Sequence, residues 1–325
     1  MIEKTVGRHD AGQRLDRYLR KAFPQAPLSA LFAVIRKKKI RVNGKPGKGP
    51  DLVQEGDKVC IYENLPETQT SAPSAMPTET RVDPRVVVVK QTKDYVVLDK
   101  PAGLASQPGT NQQEGESLVE LLWKWGENQG FDFKPALVHR LDQETSGLII
   151  AGLTGEAVRG FNALIREHQV KKEYLALVTG VLDKKQGTIR LALDRMNSAK
   201  GAKMETGHGK ESITHYRVVY SGQSMSLVRI QLETGRMHQI RAHFAAIGHP
   251  LLGDGRYGDF ALNRDMRKTL GLKRLFLHAA SLDFVWKGES IHLERELPKD
   301  LGSVLELVKS GTSVSNLGSD AESHN

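Results

Sequence analysis

Apolar positions along this chain follow two regimes. Between Arg14 and Tyr62 they are spaced for a small α/β unit. Leu15, Tyr18 and Leu19 share one helical face, and a second helix is predicted from Ser29, an N-cap by type, through Leu31, Phe32, Val34 and Ile35. Ile40-Arg41-Val42-Asn43-Gly44 then alternates into a turn dipeptide, and Lys58-Val59-Cys60-Ile61-Tyr62 reads as a strand after the turn Glu55-Gly56-Asp57. From Val86 to Leu307 short β-like runs dominate: residues 95–98, 148–151, 174–178, 188–193, 213–220 and 227–232. Several are separated by turns rather than helices. The predicted fold class is therefore α+β, with a mixed, largely antiparallel sheet rather than a doubly wound parallel one. Helices are predicted over 118–125, 156–170 and 237–247; in the middle one Val158, Phe161, Leu164 and Ile165 form the inward stripe and Thr154 the cap.

Between the two regimes, residues 63–84 are rich in Pro, Thr, Ser and Glu and are expected to be a flexible linker. Residues 310–325 are polar and Ser-rich, a tail expected to be disordered. The expected organisation is a small unit over 12–62, the linker over 63–84, a main domain over 85–309 and the tail. The 325 residues, 39% of them hydrophobic, suffice for about two domains with a sizeable core. No run approaches the ~18 apolar residues of a membrane span, and residues 1–10 lack the apolar segment of a secretory signal. Cys60 is the sole cysteine, so no intrachain disulfide can form. A cytoplasmic protein is expected.

Charge sharpens this picture. The net charge is +9, and residues 1–62 hold 14 Lys/Arg against 6 Asp/Glu, so nearly all the excess lies in the first fifth of the chain. A basic module beside a near-neutral body suggests docking onto a polyanion. Arg36, Lys37, Lys38, Lys39, Arg41 and Lys45 are the candidate phosphate contacts, supported by Arg17, Arg20, Lys21 and Lys48. The element order and the segment LSALFAVIRKKKIRVNGKPGKGPDLVQEGDKVCI resemble the S4 RNA-binding domain over about fifty residues.

The most informative stretch is Leu137 to Ile150: an apolar lead-in, the cluster His139, Arg140 and Asp142, a Thr-Ser-Gly turn and an apolar strand. That layout holds charged side chains on a loop between buried elements. An isolated Arg-x-Asp is more often a structural ion pair. The whole string HRLDQETSG, however, resembles the signature of the RluA-type pseudouridine synthases. Further stretches match in family order: DKPAGL from Asp99, KEYLALV from Lys172, TGRMHQIR from Thr234, HPLLGD with RYG from His249, and RLFLHAA from Arg274. With the S4-like module in front, the chain is most similar to the RluC-like large-subunit ribosomal RNA branch. Gln107 and Met237 depart from the usual His and Thr.

The resemblance implies an isomerase of uridine in RNA, with ribosomal rather than transfer RNA as partner and a monomeric, cofactor-free, metal-free enzyme. The N1–C1′ bond breaks, the base turns and C5 joins C1′, with no redox change. An ionised carboxylate suits this chemistry, by attack or by handling a ribose proton, and the motif match makes Asp142 that group. By the same match Arg241 pairs with it, Tyr174 stacks on the base, Arg140 fills the gap left by the flipped nucleotide and Ile240 walls the pocket. Arg236, on phosphate or capping a turn, joins His139 and Gln239 in the candidate substrate-binding set.

Other chemistries fit less well. His238, His243 and His249 lie close together, but there is no HExxH and no cysteine pair to support a metal. His139, Asp142 and Ser146 do not make a triad, and no nucleophile elbow, Walker loop or dinucleotide fingerprint is present. The remaining rivals are a non-catalytic RNA-binding or ribosome-assembly factor and, more weakly, a hydrolase.

Overall fold

A computed structural model describes residues 2–23, 34–62, 82–108, 117–198, 201–207 and 209–311. The first unit comprises β1 (Ile2–Thr5), a 3-10 turn (Arg8–Asp10), α1 (Leu15–Ala22), β2 (Ile40–Val42), β3 (Lys45–Pro46) and β4 (Lys58–Ile61). Its strands form an antiparallel sheet in the order β1-β4-β2-β3. Leu15, Tyr18 and Leu19 of α1 are buried, as their spacing predicts, against Val6, Phe23, Val34, Ile40, Val53, Val59 and Ile61. Asn43 and Gly44 both have positive φ between β2 and β3, the backbone a two-residue hairpin turn requires. The unit starts at Ile2 rather than at residue 12. Strand β1 is too short and polar to show a period, and it is ordered by pairing with β4 from Ile2↔Ile61 to Thr5↔Lys58. Ser29, Leu31 and Phe32 of the predicted second helix lie outside the described residues; 34–36 are helical.

The second unit contains β5 (Val87–Gln91), β6 (Tyr95–Lys100), α2 (Leu118–Asn128), β7 (Ala136–Leu137), β8 (Ser146–Gly152), α3 (Gly155–Arg166) and β9 (Lys171–Thr179). It continues with β10 (Gln186–Ser198), β11 (Gly201–Thr206), β12 (Lys210–Ser221), β13 (Met225–Leu232), α4 (Gln239–Ala246) and α5 (Phe260–Thr269), and ends with β14 (Leu277–Trp286), β15 (Glu289–Glu294) and α6 (Lys299–Lys309). Eleven strands form one sheet in the order β11-β10-β12-β13-β9-β14-β8-β6-β5, with β15 added to β14 and β7 to β8. Among the described pairs only β14 with β8 is parallel, so the α+β, largely antiparallel class holds. No helix among the described residues is long and apolar enough to cross a membrane.

The centre of this sheet is buried on both faces, which is why β6 and β8 read as unbroken apolar runs. Val96, Leu98, Ile149 and Ala151 join a core with Ala176, Val178, Val228 and Ile230. Their alternates Tyr95, Val97, Leu148 and Ile150 pack on the other face with Phe161, Leu282 and Phe284. On α3 the buried residues are Gly155, Ala157 and Phe161, with Val158, Leu164 and Ile165 partly buried, and Thr154 caps it by accepting from the Ala157 N–H at 3.1 Å. Val82 is already buried and Asp83 bridges to Val86, so ordered structure begins inside the expected linker. Residues 63–81 of that linker and 312–325 of the tail lie outside the described set.

Candidate active site

The loop between β7 and β8 carries the sequence-predicted carboxylate, and neighbouring segments fasten it at several points. Ser106 Oγ donates to the Leu141 carbonyl at 2.7 Å and accepts from the Leu141 N–H at 3.1 Å. Gly103 N–H donates to the Gln143 carbonyl at 2.8 Å, and the Gln143 amide returns to the Gly103 carbonyl at 3.0 Å. Beneath the loop, the fully buried Lys100 Nζ donates to the carbonyls of Leu104 at 2.8 Å, Pro101 at 3.0 Å and Gln143 at 3.2 Å. Burial pushes this lysine down to about 7, with Asp142 pulling the other way. Three carbonyls match the three hydrogens of its protonated form. A carboxylate borne on such a loop keeps one position.

The following strand is equally constrained. Gly147 has φ +112, and a Cβ there would lie 2.2 Å from the Ala279 carbonyl oxygen. The Thr-Ser-Gly turn thus ends in glycine because β8 meets β14 backbone to backbone.

Asp142 lines a cavity of about 1310 Å³ with Tyr174, Arg140, Arg236, Ile240 and Arg241. That is roomier than the roughly 300–1,000 Å³ of ordinary small-ligand pockets. Arg241 Nη1 donates to Asp142 Oδ2 at 3.3 Å, although the two residues are 99 apart in the chain. The same guanidinium forks onto Asp254, Nε to Oδ2 at 2.7 Å and Nη2 to Oδ1 at 2.8 Å. Burial alone would lower the Arg241 pKa, but Asp254 and then Asp142 more than offset it and raise it. For Asp254 burial works upward, but Arg241 and the backbone N–H groups of Tyr257 and Arg256 hold it below its ordinary value. Arg241 is thus a fixed cation between two carboxylates. One is sealed and one, Asp142, is a quarter exposed to the cavity.

Tyr174 is buried on β9 with its phenol held up in pKa, first by burial and then by Asp142, so it stays protonated. Ile240 is buried in the wall. Arg140 and Arg236 are exposed on the rim.

Two members of the substrate-binding set, both in the cavity lining, also hold the protein's own backbone. Gln239 is buried: its amide donates to Ile213 O and Thr214 Oγ1, each at 3.0 Å, while its oxygen accepts from Thr234 Oγ1 at 2.9 Å and Arg236 N–H at 3.0 Å. Its hydrogen-bonding capacity is spent holding the 234–236 loop. His139 Nε2 accepts from the Ile150 N–H at 3.1 Å, pinning the loop that carries Asp142 to β8. Burial, then Lys172, pushes this imidazole down to about 3, so it is neutral.

The three neighbouring histidines diverge. His238 faces Asp142 and Tyr257, His243 reaches the Leu191 carbonyl at 3.3 Å and His249 the Thr179 carbonyl at 2.8 Å. His238 has φ +51 and precedes α4 in a left-handed conformation, a strain of about 1 kcal/mol or more for a non-glycine residue. Sequence reasoning missed Asp254, Tyr257, Lys100 and Lys172. All four lie within the matching motifs, but the roles of the first three depend on where Arg241 and the loop fold. Lys172 precedes Tyr174 by two residues on β9, a spacing that puts both on one strand face and was legible. It lines the same cavity, and burial lowers its pKa.

The six basic residues of the first unit, Arg36, Lys37, Lys38, Lys39, Arg41 and Lys45, are all exposed, and Arg41 lies over the Tyr62 ring at 5.6 Å.

Comparison with known proteins identifies the family. Residues 94–246 match the family model described as RNA pseudouridylate synthase. The chain is 33% identical over 313 residues to ribosomal large subunit pseudouridine synthase C of Salmonella typhi, covering 94% of this chain and 96% of the relative. It is 34% identical to the Escherichia coli K12 protein of that name, covering 90% and 91%. Among solved structures, human RNA pseudouridylate synthase domain containing 4 aligns with a TM-score of 0.56 at 25% identity, over 68% of this chain and 92% of that one. The chain belongs to the RNA pseudouridylate synthase family.

Proposed function

We propose that this enzyme isomerises specific uridines to pseudouridine in large-subunit ribosomal RNA, with Asp142 as its catalytic carboxylate. The observation that carries the reading is the Asp142–Arg241–Asp254 arrangement on the wall of a cavity of about 1310 Å³. Arg241 orients Asp142 through its hydrogen bond to Oδ2, and Asp254 keeps Arg241 in place. The substrate class follows the relatives, whose names specify the large ribosomal subunit.

A uridine stacked in a helix cannot turn about its glycosidic bond, so it must leave the stack. That costs a few kcal/mol, offset by stacking and by filling the gap. Tyr174 supplies the face for the base, Ile240 the apolar wall, and Arg140 the cation that occupies the vacated position. Arg236 takes a flanking phosphate. The first unit is an S4-like docking module whose basic face tracks the RNA backbone. The protein works as a monomer in the cytoplasm, without metal or cofactor.

The test is tritium release from RNA carrying labelled C5 uridines. Wild type should release label with turnover and Asp142→Ala should release none above background, while both bind RNA equally well. Equal release from the two would remove Asp142 from this role.

A further inference from the structure

Among the described residues, side chains approach Asp142 at one oxygen. Arg241 Nη1 lies 3.3 Å from Oδ2, and His238 Nε2 lies 3.8 Å from the same atom. The other His238 nitrogen, Nδ1, lies 3.1 Å from the Tyr257 hydroxyl, which itself accepts the Met204 N–H at 2.7 Å. A hydroxyl accepting a backbone N–H still has its own proton to donate, and His238 Nδ1 is the acceptor within reach. That nitrogen is then bare, and the ring proton sits on Nε2, facing the carboxylate.

Tyr257 also touches the other group that holds Asp142. Its ring lies 5.2 Å beneath the Arg241 guanidinium and edge-on to His238 at 5.6 Å, and its N–H donates to Asp254 Oδ1 at 3.0 Å. Arg241, His238 and Asp254 are thus all set by one residue, which is anchored in turn to β11.

We propose that Tyr257 is a positioning residue for the reaction: its hydroxyl fixes His238 as the Nε2–H tautomer against Oδ2 of Asp142, leaving Oδ1 as the oxygen that meets the substrate. This rests on Asp142 being the catalytic carboxylate. His238 stays neutral because burial outweighs the pull of Asp142, while Arg241 and Arg256 also oppose its protonation and Asp254 favours it. A bland role exists for the same residue, since its bond to Met204 ties β11 to the body. The two roles predict different behaviour.

The experiment measures kcat and KM for pseudouridine formation in the full-length chain carrying Tyr257→Phe, His238→Ala, His238→Gln, or Tyr257→Phe with His238→Ala. Phenylalanine keeps the ring over Arg241 and removes only the hydroxyl. Tyr257→Phe should lower kcat about tenfold with KM little changed, the signature of an interaction used in the chemical step. His238→Ala should cost at least as much, and the double variant no more than His238→Ala alone, because the hydroxyl acts through the imidazole. His238→Gln should recover part of the loss, since its amide N–H can stand where Nε2–H stood. Additive losses, or a Tyr257→Phe effect confined to KM, would overturn the proposal and leave Tyr257 as a strand anchor. An active Asp142→Ala enzyme would instead remove the underlying reading.

Discussion

Asp254 has no side-chain exposure, yet it is ionised because Arg241 and two backbone N–H groups surround its oxygens. Its folded pKa is depressed, so it contributes stability that is full above the unfolded value near 3.8 and lost as pH falls through the folded value. Asp254→Asn should remove that contribution and leave the buried Arg241 cation half compensated, at a cost of about 3–5 kcal/mol at neutral pH. Urea unfolding would show a large gap between variant and wild type at neutral pH that narrows on acidification below the ordinary carboxylate range. A constant gap would mean that the aspartate is not held ionised. The motif containing Asp254 was legible in the sequence, but its charge role was not. A Gly-Asp before an aromatic reads equally as a turn, and only the folded position of Arg241 distinguishes the two. Gln239 shows the converse: it sits inside a matching motif, yet its amide is consumed by backbone and side-chain partners, which sequence proximity cannot reveal.

Elements were legible in proportion to how unevenly they are solvated. β6, β8, β9 and β13 are buried runs and stand out in the sequence; the polar ends of β10 and β12 do not, because only ladder pairing extends them to Ser198 and Ser221. α5 buries only Met266, too little for a stripe. α6 carries a readable i, i+3, i+4 set in Leu301, Val304 and Leu305, but the polar sequence that follows it dilutes the pattern. α3 backs one face of the sheet through aromatic packing. Its Phe161 is fully buried, stacked on Trp286 at 4.4 Å and edge-on to Tyr95 and Phe284 at 5.3 Å each. Phe161→Ala should cost about 3–5 kcal/mol of stability, the lost burial plus a cavity that the surrounding rigid rings cannot collapse. Because this cluster lies on the sheet face away from Ile149 and Tyr174, turnover below the new unfolding midpoint should change little. A loss of kcat without a loss of stability would contradict that separation of faces.

At the scale of the whole molecule, charge and chemistry are divided between the two units. Arg36, Lys37, Lys38, Lys39, Arg41 and Lys45 crowd the exposed end of a sheet whose core is apolar, while the second unit holds the carboxylate and its partners. Neutralising a phosphate releases counterions, so each phosphate engaged steepens the fall of affinity with salt by about 0.7–0.9 in a log–log plot. Replacing Arg36, Lys37, Lys38 and Lys39 together by alanine should therefore flatten that slope by about one for every phosphate no longer engaged. RNA affinity should drop most at low salt, where the released ions count for most. These residues are exposed and outside the core, so the unfolding midpoint should stay near that of wild type. Turnover with saturating stem-loop RNA should fall far less than affinity, because the cavity and its Asp142–Arg241 pair are untouched. Equilibrium binding across a salt series separates the two contributions. An unchanged slope would show that the basic face of the first unit does not lie on the RNA, and that the second unit alone holds its substrate.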